Sequence, residues 1–155
     1  MDQLEIERRF LVQRQALPAL PPGKMIVQVY LGFRPVVRIR LVEEKGFLSV
    51  KGRGLRTRRE VEIEIPAEAA RTLMELRTPG TCVVRKTRHR IPFEGYTWEV
   101  DFFESPFGDL ALAEVELPKE KAALHLPPWV GREVTEDPAY QNANLARAKL
   151  PPQPG

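Results

Sequence analysis

The chain has 155 residues, of which 43% are hydrophobic and 29% charged, and its net charge is only +3. Those values describe one globular domain with a core of its own and exclude a polyanion trap built on net charge. Cys82 is the only cysteine, which excludes an internal disulfide, and no uncharged apolar run comes near the length of a spanning helix. A lone cysteine and a polar start, Met1-Asp2-Gln3, without a signal-peptide pattern lead us to expect a cytoplasmic protein.

In chain order, strands are expected at about 4–12, 25–32, 36–43, 46–51, 57–65, 81–91, 96–104 and 110–117, each short and bounded by Gly, Pro or polar residues. Pro18, Pro21, Pro22 and Gly23 make a loop after the first strand. Glu44-Lys45-Gly46 and Phe93-Glu94-Gly95 read as hairpin turns. A helix is expected at 66–77, with Pro66 in its first position and Ala69, Ala70, Leu73, Met74 and Leu76 as its apolar stripe. Asp137 caps a second helix that begins at Pro138 and runs to about Ala148. One domain at 1–150 and a disordered Pro-rich tail at 151–155 complete the expected organisation.

Strand alternation sorts the charges. On the first strand Glu5, Glu7 and Arg9 share one face, while Ile6 and Phe10 share the other. Two carboxylates about 7 Å apart along a strand suit a divalent cation, and a guanidinium one step further suits phosphate. The pattern recurs in Arg38 and Arg40, in Arg58, Glu60, Glu62 and Glu64, in Lys86 and Arg88, in Glu99 and Asp101, and in Glu114 and Glu116. All of these sets but Lys86 and Arg88 have an apolar opposite face. Alternation alone fits either an antiparallel sheet with one wet face or a ring with a charged interior. Eight short strands point to a mainly β (α+β) fold, an eight-stranded antiparallel closed or nearly closed barrel with a few flanking helices. Inside such a ring, unpaired charges would cost several kcal/mol each. A polyanion with bound divalent cations would satisfy both signs at once.

Several motifs, in order, resemble the CYTH family, the triphosphate tunnel metalloenzymes. Glu5-Ile6-Glu7-Arg8-Arg9 stands where that family has Glu-x-Glu-x-Lys. Gln28-Val29-Tyr30-Leu31, Arg38-Ile39-Arg40, Ser49-Val50-Lys51-Gly52, Arg58-Arg59-Glu60-Val61-Glu62 and Arg85-Lys86-Thr87-Arg88 resemble its middle strands. Trp98-Glu99-Val100-Asp101 and Ala113-Glu114-Val115-Glu116 resemble its late acidic strands. Gly131-Arg132-Glu133-Val134-Thr135, Asp137 and Tyr140-Gln141-Asn142 resemble its C-terminal segment.

The resemblance implies an eight-stranded tunnel that binds a triphosphate-containing small molecule with Mg²⁺ or Mn²⁺. Glu5, Glu7, Glu114 and Glu116 fall at the metal positions. Glu60, Glu62 and Asp101 are lumen acids that hold a second metal or orient water. Arg38, Arg40, Lys51, Arg58, Lys86 and Arg88 fall at phosphate positions. Arg9 replaces the motif lysine, which in some relatives works with a tyrosine, here Tyr30, to prepare the attacking water. Arginine keeps its proton, so Arg9 clamps phosphate, and metal-activated water carries the nucleophile's share. Ala139 stands where relatives often carry arginine.

Hydrolysis of inorganic triphosphate is the expected activity. The alternatives are nucleoside or thiamine triphosphate hydrolysis, cyclisation of ATP by a class IV-type adenylate cyclase, and a non-catalytic polyphosphate- or nucleotide-binding module. No membrane or nucleic-acid partner is expected, since Lys51, Arg53, Arg56, Arg58 and Arg59 read as strand ends around a solvated Gly52–Gly54 turn. Apolar strand exteriors permit a homodimer. His89 reads as a surface residue, His125 lacks a partner at metal spacing, and Trp98 and Trp129 read as packing groups.

Overall fold

The computed structural model describes residues 2–153, and side chains from Leu4 onward. Among these residues the strands are β1 (Asp2–Val12), β2 (Lys24–Phe33), β3 (Val36–Val42), β4 (Lys45–Lys51) and β5 (Thr57–Ile65), then β6 (Val84–Phe93), β7 (Tyr96–Phe103), β8 (Ala111–Glu116) and β9 (Val130–Glu133). Helix α1 (Ala67–Met74) follows β5, and α2 (Asn142–Ala148) follows β9. Neighbouring strands run in the order β5-β4-β3-β2-β6-β7-β8-β1, and β1 pairs back to β5. Every pairing is antiparallel, so eight strands close a ring.

β1 is the seam. Its residues 2–6 pair with 57–61 of β5, and residues 7–11 pair with 112–116 of β8. Past the end of β5, Phe10 and Val12 take Glu133 and Val130 of β9 as partners. The ninth strand has no counterpart among the expected strands; it is four residues long, contains Gly131 and, among the described residues, pairs only with the overhang of β1.

Alternation decides what faces in. Arg9 lies opposite Glu114 and Leu11 opposite Leu112, so one face of β1 runs Glu5, Glu7, Arg9, Leu11. The outer face carries Ile6 and Phe10, both buried. Outside the ring, Phe10, Trp98, Val100 and Val115 pack under Leu17, Leu20, Leu124 and Trp129, with Trp98 edge-on to Trp129. On another side, Val29 and Ile39 pack under Ala70, Leu73 and Met74 of α1. Gly46 permits that approach: a Cβ there would lie 2.9 Å from both Ala70 Cβ and the Ile65 carbonyl oxygen.

α2 does something different. Its Leu145 and Ala146 pack on Tyr30, Val84, Phe103 and Leu112. Lys86 lies opposite Phe103, and Asp101 opposite Leu112, so these apolar residues belong to the inner face. α2 therefore plugs part of one end of the ring instead of covering its exterior.

Some local expectations shift. The β3–β4 turn is Glu43-Glu44, because Val42 pairs with Lys45 and Glu43 takes the left-handed conformation at φ 53°. The second hairpin turn sits at Glu94-Gly95, both with positive φ, as its sequence suggests. β6 begins at Val84 instead of residue 81, since the Cys82 N–H donates to the Ala146 carbonyl of α2 and not to a neighbouring strand. Pro66 caps α1 rather than opening it, and α1 ends at Met74. The expected second helix is broken. The Asp137 carboxylate accepts from the Ala139 N–H, Pro138–Tyr140 makes one 3₁₀ turn, and extended Gln141 restarts the chain as α2. Residues 151–153 have no regular structure, and the rest of the expected disordered tail, Pro154 and Gly155, lies outside the described residues.

Candidate active site

The ring encloses a cavity of about 200 Å³. Of the residues expected at metal, phosphate or catalytic positions, all but Asp101 line it; Glu64, on the same face of β5 as Glu60 and Glu62, lies outside it. They arrive on different strands: Glu5, Glu7 and Arg9 on β1, Tyr30 on β2, Arg38 and Arg40 on β3, and Lys51 on β4. Arg58, Glu60 and Glu62 come from β5, Lys86 and Arg88 from β6, and Glu114 and Glu116 from β8. Glu62 and Glu116 are exposed at the rim, while Glu5, Glu60 and Glu114 are buried.

One wall is acidic with cations set between the acids. Arg9 Nη2 lies 2.9 Å from Glu114 Oε2 and 3.2 Å from Glu7 Oε1. Lys51 Nζ lies 3.2 Å from Glu5 Oε2 and 3.9 Å from Glu60 Oε2, and Arg58 Nε lies 3.3 Å from Glu5 Oε1. These neighbours split the carboxylates. Burial alone would raise the Glu5 pKa, but Lys51, a hydrogen bond with Glu60 and Arg58 bring it down to about 2. Burial and that shared hydrogen bond push Glu60 up to about 7. Burial and the adjacent Glu114 charge likewise raise Glu7. Glu114 is held well below the usual range: burial opposes this, but Arg9 and the Glu7 hydrogen bond prevail.

The facing wall is cationic. Arg38 Nη2 reaches Ser49 Oγ at 3.2 Å and Glu62 Oε2 at 3.4 Å. Arg40 has no carboxylate partner within ion-pair distance among the described residues; its Nε and Nη2 both donate to Gln28 Oε1 at 3.1 Å. Burial, then Arg38 and Arg88, lower Arg40 to about 9. Burial also lowers Lys86 to about 7, against the pull of Asp101. Burial raises the Tyr30 hydroxyl. Of the four buried side-chain donors without a hydrogen-bond partner among the described residues, two, Arg9 Nη1 and Arg38 Nε, belong to residues that line the cavity. Native proteins rarely leave such donors unsatisfied, and a phosphate oxygen would satisfy them.

Asp101 is fully buried behind this wall. Its Oδ2 lies 2.8 Å from Lys86 Nζ, and both its oxygens accept from Arg88 at 2.7 and 2.8 Å. It anchors two cations and does not line the cavity. Four more residues shape the site without belonging to the expected set. Gln28 holds Arg40 and donates to the Tyr30 hydroxyl, and Asn142 Oδ1 accepts from both Lys86 Nζ and Gln28 Nε2 at 2.9 Å. Ser49 donates to Glu62, and Glu99 pairs with Arg88 at 3.2 Å. Gln28, Ser49 and Asn142 are uncharged and escape a search for alternating charge. Glu99 does share the charged face with Asp101, and that spacing was the signal available for it.

The donor set fits a hard cation. The cavity offers carboxylate oxygens and neither histidine nor cysteine. Glu7 and Glu114 crowd two carboxyls together, a repulsion that a divalent cation would relieve. Among the described residues, no three of these groups converge at metal-binding distance, and the acids lean on Arg9, Lys51 and Arg58 instead. His89 sits outside against the Pro21 carbonyl, and His125 pairs with Glu94 on the surface.

The CYTH domain family matches residues 3–148. The chain belongs to the CYTH family. It is 42% identical over 146 residues to an inorganic triphosphatase of Acetivibrio thermocellus, covering 92% of this chain and 93% of that one. It is 36% identical over 155 residues to an inorganic triphosphatase of Nitrosomonas europaea, covering 92% and 96%. A solved inorganic triphosphatase superposes with a TM-score of 0.67 at 34% identity, covering 97% of both chains. In this CYTH chain ordinary strand alternation turns the acids of β1 and β8 and the bases of β3 and β6 into the ring. The guanidinium of Arg9, in place of the motif lysine, is a feature to be read from its own contacts.

Proposed function

We propose that this CYTH protein hydrolyses inorganic triphosphate to pyrophosphate and orthophosphate with Mg²⁺ or Mn²⁺. The observation that carries the reading is the convergence of seven cationic side chains on one cavity with unsatisfied buried guanidinium donors among them. The relatives named as inorganic triphosphatases support the substrate. The lining supports it too: it is charged, and Tyr30 is its one aromatic residue, so it offers no apolar slot for a base.

Glu5, Glu7, Glu114 and Glu116, with Glu60 beside them, would hold the cation. Bound there, a divalent ion neutralises phosphate charge and lowers the pKa of water. Arg38, Arg40, Lys86 and Arg88 grip phosphoryl oxygens from one side, and Arg9, Lys51 and Arg58 from the other. Arg9 remains protonated: burial opposes this, but Glu114 and Glu7 raise its pKa. It therefore clamps the substrate and removes no proton. Tyr30, whose hydroxyl accepts from Gln28, keeps its proton at neutral pH and orients the nucleophilic water as a neutral group. Glu62, already fixed by Ser49 and Arg38, takes part in orienting that water from the rim. The water gives up a proton to solvent as its oxygen bonds to the terminal phosphorus in line with the bridging oxygen, and the broken P–O bond releases that oxygen with pyrophosphate. Positioning and charge stabilisation supply most of the acceleration.

The test is phosphate release from inorganic triphosphate, ATP, thiamine triphosphate and pyrophosphate, with each metal and with chelator. Triphosphate should be the preferred substrate and chelator should stop release. Binding of triphosphate without release would replace this reading with a polyphosphate-binding module.

A further inference from the structure

Strand register gives Arg40 neighbours unlike those of the other cations in the cavity. Gln28 lies opposite it on β2 and Phe47 opposite it on β4. Each of the other six cavity cations has a carboxylate within ion-pair distance. Arg40 has none among the described residues, while burial and then the charges of Arg38 and Arg88 disfavour its protonated form. An incoming anion relieves that imbalance.

Gln28 supplies to Arg40 what a carboxylate supplies to the others, without the charge. It is fully buried. Its Oε1 accepts from Arg40 Nε and Nη2, both at 3.1 Å. Its Nε2 donates to the Tyr30 hydroxyl at 3.1 Å and to Asn142 Oδ1 at 2.9 Å. A primary amide has two donor hydrogens and two acceptor lone pairs, and here all four are used. Arg40 can only donate, so the oxygen of the Gln28 amide has to face it and the nitrogen has to face Tyr30 and Asn142. Asn142 Oδ1 also accepts from Lys86 Nζ at 2.9 Å, which ties this end of the network to β6 and α2. A neutral group whose own orientation is fixed by its partners therefore locks the fork of Arg40.

We infer that Gln28 is a positioning residue for triphosphate: it fixes the Arg40 guanidinium by two hydrogen bonds and leaves that charge uncompensated for a phosphoryl group. The inference rests on the reading of the inner cavity as a triphosphate site. A carboxylate at position 28 would hold the fork equally well, but phosphate would then have to displace it or share the cation with it. The amide gives the same rigidity without that competition.

Two variants separate position from charge. Gln28→Glu keeps the size of the side chain and its acceptors toward Arg40 but adds a negative charge. Gln28→Met removes the hydrogen bonds at similar volume. The readouts are KM and kcat for inorganic triphosphate with Mg²⁺, and direct titration with inorganic triphosphate in chelator. In Gln28→Glu, KM and the titrated Kd should both rise at least about tenfold, more than kcat falls. Gln28→Met should raise both about threefold or more, yet by less than about twofold in an Arg40→Ala background, because the residue acts through Arg40. A merely structural role predicts parental affinity in Gln28→Glu, where the hold on Arg40 persists. Parental affinity in folded Gln28→Glu, or a Gln28→Met loss that survives in full without Arg40, would overturn the inference. Should Gln28→Glu fail to fold, the Gln28→Met comparison with and without Arg40 decides alone. If the unaltered chain neither binds nor hydrolyses triphosphate, the reading of the cavity falls and this inference with it, whereas an unaltered chain that binds no better than its folded Gln28 variants sinks this inference alone.

Discussion

At the residue scale, Asp101 shows how buried charge is made tolerable. It sits with no exposed surface between Lys86 and Arg88, and its carboxylate accepts from both. Burial alone would raise its pKa, yet Lys86 and Arg88 hold it below the usual carboxylate range. Removing that charge leaves the buried Lys86 ammonium without a carboxylate partner and Arg88 with only Glu99 and Glu114. Asp101→Asn should lose about 3 kcal/mol of unfolding free energy at neutral pH, measured from denaturant midpoints. The sign with pH follows from the lowered native value. The contribution is full above the unfolded-state pKa of about 4 and fades as pH falls through the native value. The stabilities of the parent and Asp101→Asn should therefore converge in acid, and a gap that persists unchanged there would contradict this account. Arg9 makes the companion point. Its identity is visible in the sequence, but its grip on both Glu114 and Glu7 is visible only once β1 and β8 are in register.

At the scale of elements, strand alternation carried most of the information. Glu5, Glu7, Arg38, Arg40, Lys86 and Arg88 face inward because successive side chains in a strand take opposite sides. Asp101 obeys the same rule yet misses the cavity, because alternation gives the face and not the depth. Periodicity likewise marks an apolar helix stripe without saying whether it covers a ring or stops it. α1 covers the exterior, whereas α2 stops one end. β9 was illegible because four residues with a glycine carry little pattern, and its partner is an overhang created by ring closure. Two substitutions test these placements. Leu145→Ala in the plug should cost about 2–5 kcal/mol of stability, since Leu145 is fully buried. Gly46→Ala should cost about 1–3 kcal/mol, because the added carbon meets α1 and the β5 backbone. Thermal or denaturant unfolding measures both, and parent-like stability in Leu145→Ala would remove α2 from the core.

At the scale of the whole molecule, a modest net charge conceals strong internal sorting. The chain sums to +3, yet β1 and β8 bring carboxylates to one wall while β3 and β6 bring bases to the facing wall. Closure of the ring makes this arrangement possible, because only then do β1 and β3, distant along the sheet order, look at each other across a cavity. The parts of the outer apolar face that α1 and the segments around Leu17 and Trp129 seal supply stability that lets the interior remain polar, while Leu4, Val61 and Ile63 stay exposed. The ring's fold should therefore outlast the loss of any one rim or wall carboxylate, while the chemistry should not. Phosphate release by Glu7→Ala, measured beside the unaltered chain with inorganic triphosphate and either metal, tests this most directly. The account expects release to fall at least about a hundredfold, with the strand signal in circular dichroism retained. Near-parental turnover by the folded variant would contradict it.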